Sequence, residues 1–338
     1  MRSAPRTVAL FYDGYEAQAN DGRFGRLRSD LRGVLRQTSR RIRNLQPYTG
    51  FYTAFLNLRR SLEVAGIEVR VNDFAYARAN PSMPVGITGF HTVFDKVRLP
   101  NPAMFGPGEV PDPLDTPPVV EACHLKIVTQ PCEWYCDIWR PVLGDIVKPM
   151  FVAIDTEKWA DQSHHPKDID VIVYDKIRWY REAREADLLT PLLAHLEARG
   201  LSYVVLRYGF HHLAQFRDAL RRARALAFLC EHETQGLAYQ EAMASGVPVF
   251  AWDDGQLVSP HDREVAPEGL VVSSVPYFDA RCGLRFRKPE MTEAFDRFWE
   301  QVGRGTYRPR DYVCDCLSLE KGAGRYLELF GTLDDGRP

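Results

Sequence analysis

The chain has 338 residues, which is enough for two domains with separate hydrophobic cores. Hydrophobic residues make up 45% and charged residues 26%, as in an ordinary globular protein, and the net charge of -2 excludes a globally basic nucleic-acid binder. Seven scattered cysteines indicate a reducing compartment, and no apolar stretch approaches the length of a membrane span. We therefore expect a cytoplasmic protein, attached at most peripherally to the inner membrane face, with no nucleic-acid partner.

The amino-terminal segment begins with a predicted buried strand, Val8–Tyr12, followed directly by Asp13 and Gly14. The next segment, from Arg23 to Leu45, carries an arginine at every fourth position and aliphatic side chains on the complementary stripe. This pattern predicts a basic amphipathic helix. The helix either exposes a solvated face or binds an anionic membrane surface or a phosphate-bearing acceptor. The periodic arginines are Arg28, Arg32, Arg36 and Arg40.

The remainder of the first half alternates between helical and extended patterns. Gly50–Ala65 has helical periodicity, and Ile67–Val71 has the pattern of a strand. Met83–Asp115 is rich in proline and glycine, which predicts a long loop. Leu125–Thr129 is a predicted strand, and a helix is expected to open within Pro131–Trp134.

The second half repeats short apolar runs and helical segments, which predicts a parallel sheet with crossover helices. The predicted strands are Asp170–Tyr174, Leu201–Leu206, Ala225–Cys230, Val247–Trp252 and Gly269–Val272. The predicted helices are Leu188–Arg199, His212–Ala223, Leu237–Ala244 and Leu317–Phe330, and residues 331–338 form a polar, disordered tail.

One stretch of this half carries the chemistry. The loop after strand Ala225–Cys230 contains Glu233, a helix begins at Gly236-Leu237, and Glu241 lies just inside that helix. Ligands of parallel sheets bind in such loops, and a helix N-terminus with a glycine suits a phosphate. A carboxylate can accept hydrogen bonds from two vicinal hydroxyl groups. The stretch is therefore either a nucleotide-sugar site or a helix with solvated glutamates.

The spacing Glu233-x7-Glu241 and the following run Ala242–Val249 resemble the signature of retaining GT-B glycosyltransferases of the E-x7-E, glycosyltransferase family 4-like group. The stretch Phe151–Trp159 is similar to that family's interdomain crossing. The resemblance implies an α/β fold of two Rossmann-like domains with parallel sheets facing across a cleft. The acceptor domain would span residues 1–155 and the nucleotide-sugar domain residues 156–330, with a final helix crossing back and a tail at 331–338.

The resemblance also implies roles for individual residues. Lys176 and Arg178 follow strand Asp170–Tyr174 and would hold the donor diphosphate; Glu241 would hold the ribose and Glu233 the donor sugar. Glu233 and Lys176 would be the catalytic residues. The nucleotide-sugar site would comprise Glu241, Lys176, Arg178, Thr234, Gln235, Gly236 and Leu237. The acceptor side would include Asp13, Gly14 and Gly50.

We predict neither a bound metal nor a cofactor, since the nucleotide diphosphate sugar is a substrate. Asp168-Ile169-Asp170 matches the D-x-D metal motif of the other glycosyltransferase fold, but it precedes its strand and so lies at the sheet end away from the ligand. The expected reaction moves a hexosyl group with retention to a glycan, glycolipid or small-molecule acceptor. The alternatives are a sugar-nucleotide epimerase or phosphorylase on the same fold, and a non-catalytic nucleotide-binding subunit.

Overall fold

The computed structural model describes residues 6–13 and 50–335. The chain folds into two compact units. Residues 6–13, 50–153 and 319–335 belong to the first unit, and Ile154–Ser318 forms the second. The chain therefore returns to the first unit with its last helix. Among the described residues, no helix combines the length and the apolar character needed to cross a membrane.

The first unit is built on a six-stranded parallel sheet. Its strands are β1 (Thr7–Tyr12), β2 (Glu68–Val71), β3 (Val85–Gly89), β4 (Ala103–Gly108), β5 (Leu125–Gln130) and β6 (Val147–Pro149). Its α-helices are α1 (Gly50–Val64), α2 (Phe74–Ala79), α3 (Thr116–Ala122), α4 (Glu133–Leu143) and, from the carboxyl-terminal part of the chain, α12 (Leu319–Gly331). The strand order is β2-β1-β3-β4-β5-β6, and buried side chains of β1, α1 and α12 share one apolar cluster.

The prediction of a loop over Met83–Asp115 is wrong, because the segment contains both β3 and β4. Glycine and proline are rare inside strands, which is why the sequence indicates a loop. Here the glycines allow close packing in the sheet. A Cβ at Gly106 would lie 1.8 Å from Oγ1 of Thr129, and a Cβ at Gly108 would lie 2.2 Å from the carbonyl oxygen of Gly89.

The second unit contains a five-stranded parallel sheet. Its strands are β7 (Ile169–Asp175), β8 (Tyr203–Arg207), β9 (Ala223–Leu229), β10 (Val249–Trp252) and β11 (Gly283–Phe286), in the order β11-β10-β9-β7-β8. Its α-helices are α5 (Arg181–Arg184), α6 (Thr190–Ala198), α7 (Leu213–Arg222), α8 (Leu237–Ala244), α9 (Pro260–Val265), α10 (Met291–Arg304) and α11 (Pro309–Cys316). A π-helical segment, Glu185–Leu189, joins α5 to α6, so this helical region begins earlier than the sequence predicts. The chain leaves β7 for β8 on one side and then crosses to β9 on the other, which makes the carboxyl ends of β7 and β9 a topological switch point.

Two further expectations for the carboxyl-terminal region are wrong. Gly269–Val272 is not a strand; it lacks ladder partners, and Val271 is 73% exposed. The backbone at this point instead runs across loops, since the N–H of Val272 donates to the carbonyl of Gly255. The tail is also ordered in part: Thr332–Asp335 forms a turn of 3-10 helix that buries Leu333.

Candidate active site

The candidate site lies at the switch point of the second sheet. β7 and β9 are adjacent and parallel, and their register pairs Asp175 with Leu229, the last residue of each strand. The N–H of Lys176 donates to the carbonyl of Leu229 at 2.9 Å, which holds the start of one loop against the end of the neighbouring strand. The loops that carry Lys176 and Glu233 therefore leave the sheet side by side.

Lys176 and Glu233 form a buried ion pair. The distance from Nζ of Lys176 to Oε1 of Glu233 is 2.7 Å, and the two side chains are only 12% and 10% exposed. Nη2 of Arg178 lies 3.5 Å from the same oxygen and also donates to the carbonyl of His232 at 2.7 Å. The structure thus brings together three residues that the sequence predicts for this site.

Burial and charge oppose each other in this pair. Burial raises the pKa of Glu233, but Lys176 and Arg178 together lower it by more, so its pKa falls below the usual value. Burial lowers the pKa of Lys176, but Glu233 and Cys230 together raise it by more, so its pKa is raised. Both groups are therefore charged at neutral pH, and each keeps the other ionised.

The loop with Lys176 is held by Glu231, a buried residue that sequence reasoning missed. Its carboxylate accepts hydrogen bonds from the backbone N–H groups of Arg178, at 3.2 and 3.3 Å, and of Trp179, at 3.1 Å. The ring of Trp179 stacks on His232, with 4.8 Å between the ring centroids. About fifty residues separate these partners in the sequence, so their only local signal is a polar run directly after the buried strand β9.

His232 is a structural residue of the same loop. Its Nε2 accepts the backbone N–H of Ser259 at 3.2 Å, and burial together with Arg178 lowers the pKa of the imidazole to about 4. A neutral imidazole is therefore the form present at physiological pH. A further hydrogen bond fixes this loop: the N–H of Glu233 donates to the carbonyl of Ser273 at 2.9 Å.

Helix α8 begins beside this loop at a glycine with a special conformation. Gly236 precedes the first helical residue, Leu237, and has φ 73° and ψ 49°. A Cβ at Gly236 would lie 2.1 Å from Cε1 of Tyr239, so the position excludes a larger residue both by conformation and by space. The first N–H groups of any helix lack intrahelical partners, which leaves those of α8 available for an anion.

Thr234 and Gln235 complete the loop between Glu233 and α8. Thr234 is half-buried, whereas Gln235 is buried and its Nε2 donates to Oε1 of Gln240 at 2.7 Å. The amide of Gln240 in turn donates to the backbone carbonyl of Gln235 at 2.7 Å. The side chain of Gln235 therefore fixes the helix start.

Glu241 has a different environment from Glu233. It lies on the second turn of α8, is only partly exposed, and its side chain forms no ion pair within the part of the chain that the structure describes. Burial raises its pKa to about 8, an effect that the charges of Lys158 and Arg217 only partly offset. The pKa of one glutamate is thus lowered by its cationic partner, whereas the pKa of the other is raised by burial.

An aromatic ring borders the ion pair. Nζ of Lys176 lies 4.5 Å from the centroid of the Tyr208 ring, in a cation–π arrangement. Tyr208 follows β8 directly and is 47% exposed, so part of its ring faces solvent beside the charged pair. No local sequence pattern indicates this contact, since β8 and β7 are paired only in the folded sheet.

The other predicted site residues lie elsewhere. Asp13 belongs to the first unit, where its carboxylate pairs with Lys96, and Gly50 is the exposed first residue of α1. Gly14 and the arginine-rich segment from Arg23 to Leu45 lie outside the described residues.

The D-x-D aspartates are both engaged in ion pairs. Asp168 precedes β7 and pairs with Arg222 at 2.7 Å, whereas Asp170 lies in the first residues of β7 and pairs with Arg224 at 3.2 Å. Over residues 6–13 and 50–335, no group of three or more His, Cys, Asp or Glu side chains is arranged to hold a metal ion.

Comparisons with known proteins identify the fold. No protein-family model and no curated protein sequence matches the chain. Among solved structures, sucrose-phosphate synthase from Thermosynechococcus elongatus superposes with a TM-score of 0.59 at 11% identity, over 98% of this chain and 100% of that one. The catalytic domain of starch synthase IV from Arabidopsis thaliana, bound to ADP and acarbose, gives 0.51 at 11% identity, over 86% and 79%. A mutant of S. aureus TarM, in complex with Fondaparinux, alpha-GlcNAc-glycerol and UDP, gives 0.52 at 13% identity, over 76% and 58%, so the chain spans little more than half the length of TarM. The two parallel α/β sheets and these neighbours show that the chain has the GT-B fold of glycosyltransferases.

Proposed function

We propose that the chain is a glycosyltransferase that moves a hexosyl group from a nucleotide diphosphate sugar to an acceptor with retention of configuration. The observation that carries this proposal is the buried Lys176–Glu233 pair at the switch point of a GT-B fold, beside the glycine-led N-terminus of α8. Neighbouring loops thus carry a cation, a carboxylate that can accept hydrogen bonds from sugar hydroxyl groups, and N–H groups at the helix start that have no intrahelical partner. A diphosphate attached to a sugar requires these three kinds of group.

The diphosphate is bound by cations and backbone. Lys176 and Arg178 supply two positive charges, and the first N–H groups of α8 supply hydrogen bonds and the positive end of the helix dipole. These groups stabilise negative charge more strongly as the bond from the anomeric carbon to the diphosphate breaks. Because the protein itself provides this charge, the proposed reaction needs no divalent metal.

Glu233 has two functions in this proposal. Its ionised carboxylate accepts hydrogen bonds from hydroxyl groups of the donor sugar, and it also keeps Lys176 protonated despite burial. The acceptor hydroxyl bonds to the anomeric carbon on the face that the diphosphate leaves, and the proton of that hydroxyl passes to the departing diphosphate. The likeness of the Glu233-x7-Glu241 run to retaining enzymes supports this stereochemistry.

Glu241 binds the ribose through its vicinal hydroxyl groups. Its position on the second turn of α8, beyond the proposed diphosphate site, suits the part of the nucleotide that follows the phosphates. A carboxyl group with a raised pKa can donate to one hydroxyl and accept from the other. The exposed part of the Tyr208 ring provides an apolar surface close to Lys176 on which a flat group can stack.

The named ligands of the structural neighbours support a nucleotide donor. Starch synthase IV was solved with ADP and acarbose, and the TarM mutant with UDP and alpha-GlcNAc-glycerol. We propose related classes of ligand here: a nucleoside diphosphate sugar as donor, and a glycan, glycolipid or small molecule as acceptor.

The test is a donor screen on the purified chain. Release of nucleoside diphosphate from UDP-, ADP- and GDP-hexoses is measured with a panel of acceptor sugars, in the presence and absence of EDTA, and NMR of the product gives the anomeric configuration. Lys176→Ala should abolish release, whereas Lys288→Ala, which removes a lysine paired with Asp187 at the surface, should not. If the chain binds no nucleoside diphosphate, the proposal is refuted. Conversion of donor alone would indicate an epimerase, and binding without turnover a non-catalytic subunit.

A further inference from the structure

We propose that the second unit contains a separate site for a phosphate group, which we call the basic pocket. It is a cavity of about 260 Å³ between α7, the carboxyl end of α8 and the segment from Lys158 to Gln162. Three cationic side chains and one carboxylate border it, namely Lys158, Arg217, Arg221 and Asp218.

The basic pocket is distinct from the proposed diphosphate site. The loop with Glu233 precedes α8, whereas Ser245, which lines the pocket, follows the last residue of that helix. Eight helical residues at a rise of 1.5 Å each separate the two ends by about 12 Å. A diphosphate bound at the start of α8 therefore does not reach the pocket.

Two of the three cations lack a counter-ion. Arg221 pairs with Asp218 at 3.0 Å, which accounts for one positive charge. Within the described residues, the side chains of Lys158 and Arg217 pair with no carboxylate. The guanidinium of Arg217 lies 4.9 Å from the centroid of the Trp159 ring, which positions it at the pocket.

The negative ends of the neighbouring helices do not explain these two cations. Cationic side chains near a helix C-terminus often donate hydrogen bonds to its free carbonyl groups. Here other side chains already do so: Lys167 donates to the carbonyl of Arg221 at 3.0 Å, and Arg310 donates to the carbonyl of Ala244. Lys158 and Arg217, which are both exposed, are therefore accessible to a ligand in the pocket.

Glu241 forms no ion pair with either cation within the described residues. Lys158 and Arg217 lower its pKa, but burial raises it by more. The border of the pocket thus carries two positive charges that no carboxylate of the described residues pairs with.

The chemistry of the border selects an anion rich in oxygen. Lysine and arginine only donate hydrogen bonds, and the planar guanidinium matches two oxygens of a phosphate. At about 30 Å³ per water, the cavity has room for about nine waters, which exceeds a phosphate ion and suits a phosphate ester with a small polar group. The expected ligand is a phosphate monoester, with free phosphate as the other source of the same group.

Calorimetry on the full chain tests this proposal with inorganic phosphate and with glycerol 3-phosphate as probes, against sodium chloride of equal ionic strength. We expect a site whose affinity for either probe falls by about tenfold or more in Arg217→Ala, since a charge-assisted hydrogen bond is lost. Arg263→Ala removes an exposed arginine from α9 and should bind as the wild type does. Arg178→Ala, which alters the donor loop, should also keep the site.

The outcomes are decisive in either direction. Equal binding of both probes supports free phosphate as the ligand, and preference for the ester supports a phosphate ester. Undiminished binding in Arg217→Ala, loss of binding in Arg178→Ala, or no binding beyond the chloride control would each overturn the proposal. None of these results depends on glycosyl transfer, so the donor-site proposal can fail while the basic pocket stands.

Discussion

The ionisation of Glu241 should make the stability of the protein depend on pH in a direction opposite to that of most carboxylates. An ordinary glutamate titrates near 4.5, whereas burial holds the pKa of Glu241 at about 8. Between these two values the folded protein binds more protons than the unfolded chain, so the free energy of unfolding falls as the pH rises. Well below pH 4.5 both states are protonated, and well above pH 8 both are ionised, so the change is confined to this window.

The size of the effect follows from the shift. Each pKa unit corresponds to about 1.4 kcal/mol, so a fully buried group would lose about 5 kcal/mol across the window. Because Glu241 is partly exposed, solvent screening reduces both the pKa shift and the loss, so we expect a loss of about 1–3 kcal/mol that is complete by pH 8. The variant Glu241→Gln keeps the shape and cannot ionise, so the loss should be absent from it.

Urea unfolding of wild type and Glu241→Gln at pH values from about 5 to 8.5 measures this difference. The variant should gain stability relative to the wild type as the pH rises, and the gain should level off above about pH 8. Glu293→Gln, which changes an exposed glutamate on α10, serves as the matched control and should follow the wild type. Parallel pH profiles for wild type and Glu241→Gln would show that Glu241 is ionised in the folded state and would refute the reasoning.

Three further results are expected. Glu233→Ala leaves Lys176 buried without its counter-ion. Calorimetry should therefore show about tenfold weaker binding of the free nucleoside diphosphate as well as of the nucleotide sugar. Unchanged affinity for the nucleoside diphosphate would contradict the dependence of Lys176 on Glu233. Glu231→Ala removes the acceptor of two backbone N–H groups, so it should lower the free energy of urea unfolding by about 1–3 kcal/mol and also weaken nucleotide binding. Stability equal to that of the wild type would be inconsistent with these contacts. Gly236→Ala should cost more than Gly209→Ala, because both have a positive φ but only Gly236 also meets Tyr239; similar melting temperatures for the two variants would argue against steric exclusion.

Much of the second sheet could be predicted from the sequence because its strands are continuous apolar runs with clear boundaries. Strand β9 has only one residue that is not fully buried, and helix α8 ends at Ser245-Gly246 as the sequence indicates. The first sheet was harder to predict, since β4 contains Gly106 and Gly108. These two glycines let the neighbouring strands lie close to β4. A sequence shows that a glycine is present, but it does not show which backbone lies against it.

The candidate site has a similar division. Glu233, Lys176 and Arg178 could be found from their positions after strands, since parallel strands bring such loops to one edge. That Lys176 pairs with Glu233, and that Glu231 holds the lysine loop, could not be found, because both contacts join segments more than fifty residues apart. The pairing depends on the register between β7 and β9, which no local pattern specifies.

The two glutamates lie close together in the sequence but have different environments in the folded protein. Only seven residues lie between Glu233 and Glu241, and the resemblance assigns one to the donor sugar and the other to the ribose. Glu233 has a cation at 2.7 Å and is ionised, whereas Glu241 lies in a helix, where burial raises its pKa by more than Lys158 and Arg217 lower it. The pKa of Glu233 is therefore lowered mainly by the cations of the loop after β7, whereas the pKa of Glu241 is raised by burial and only partly lowered by Lys158 and Arg217. An anion bound in the basic pocket would neutralise those cations and raise the pKa of Glu241 further, which would couple the pocket to the proposed ribose contact through charge alone.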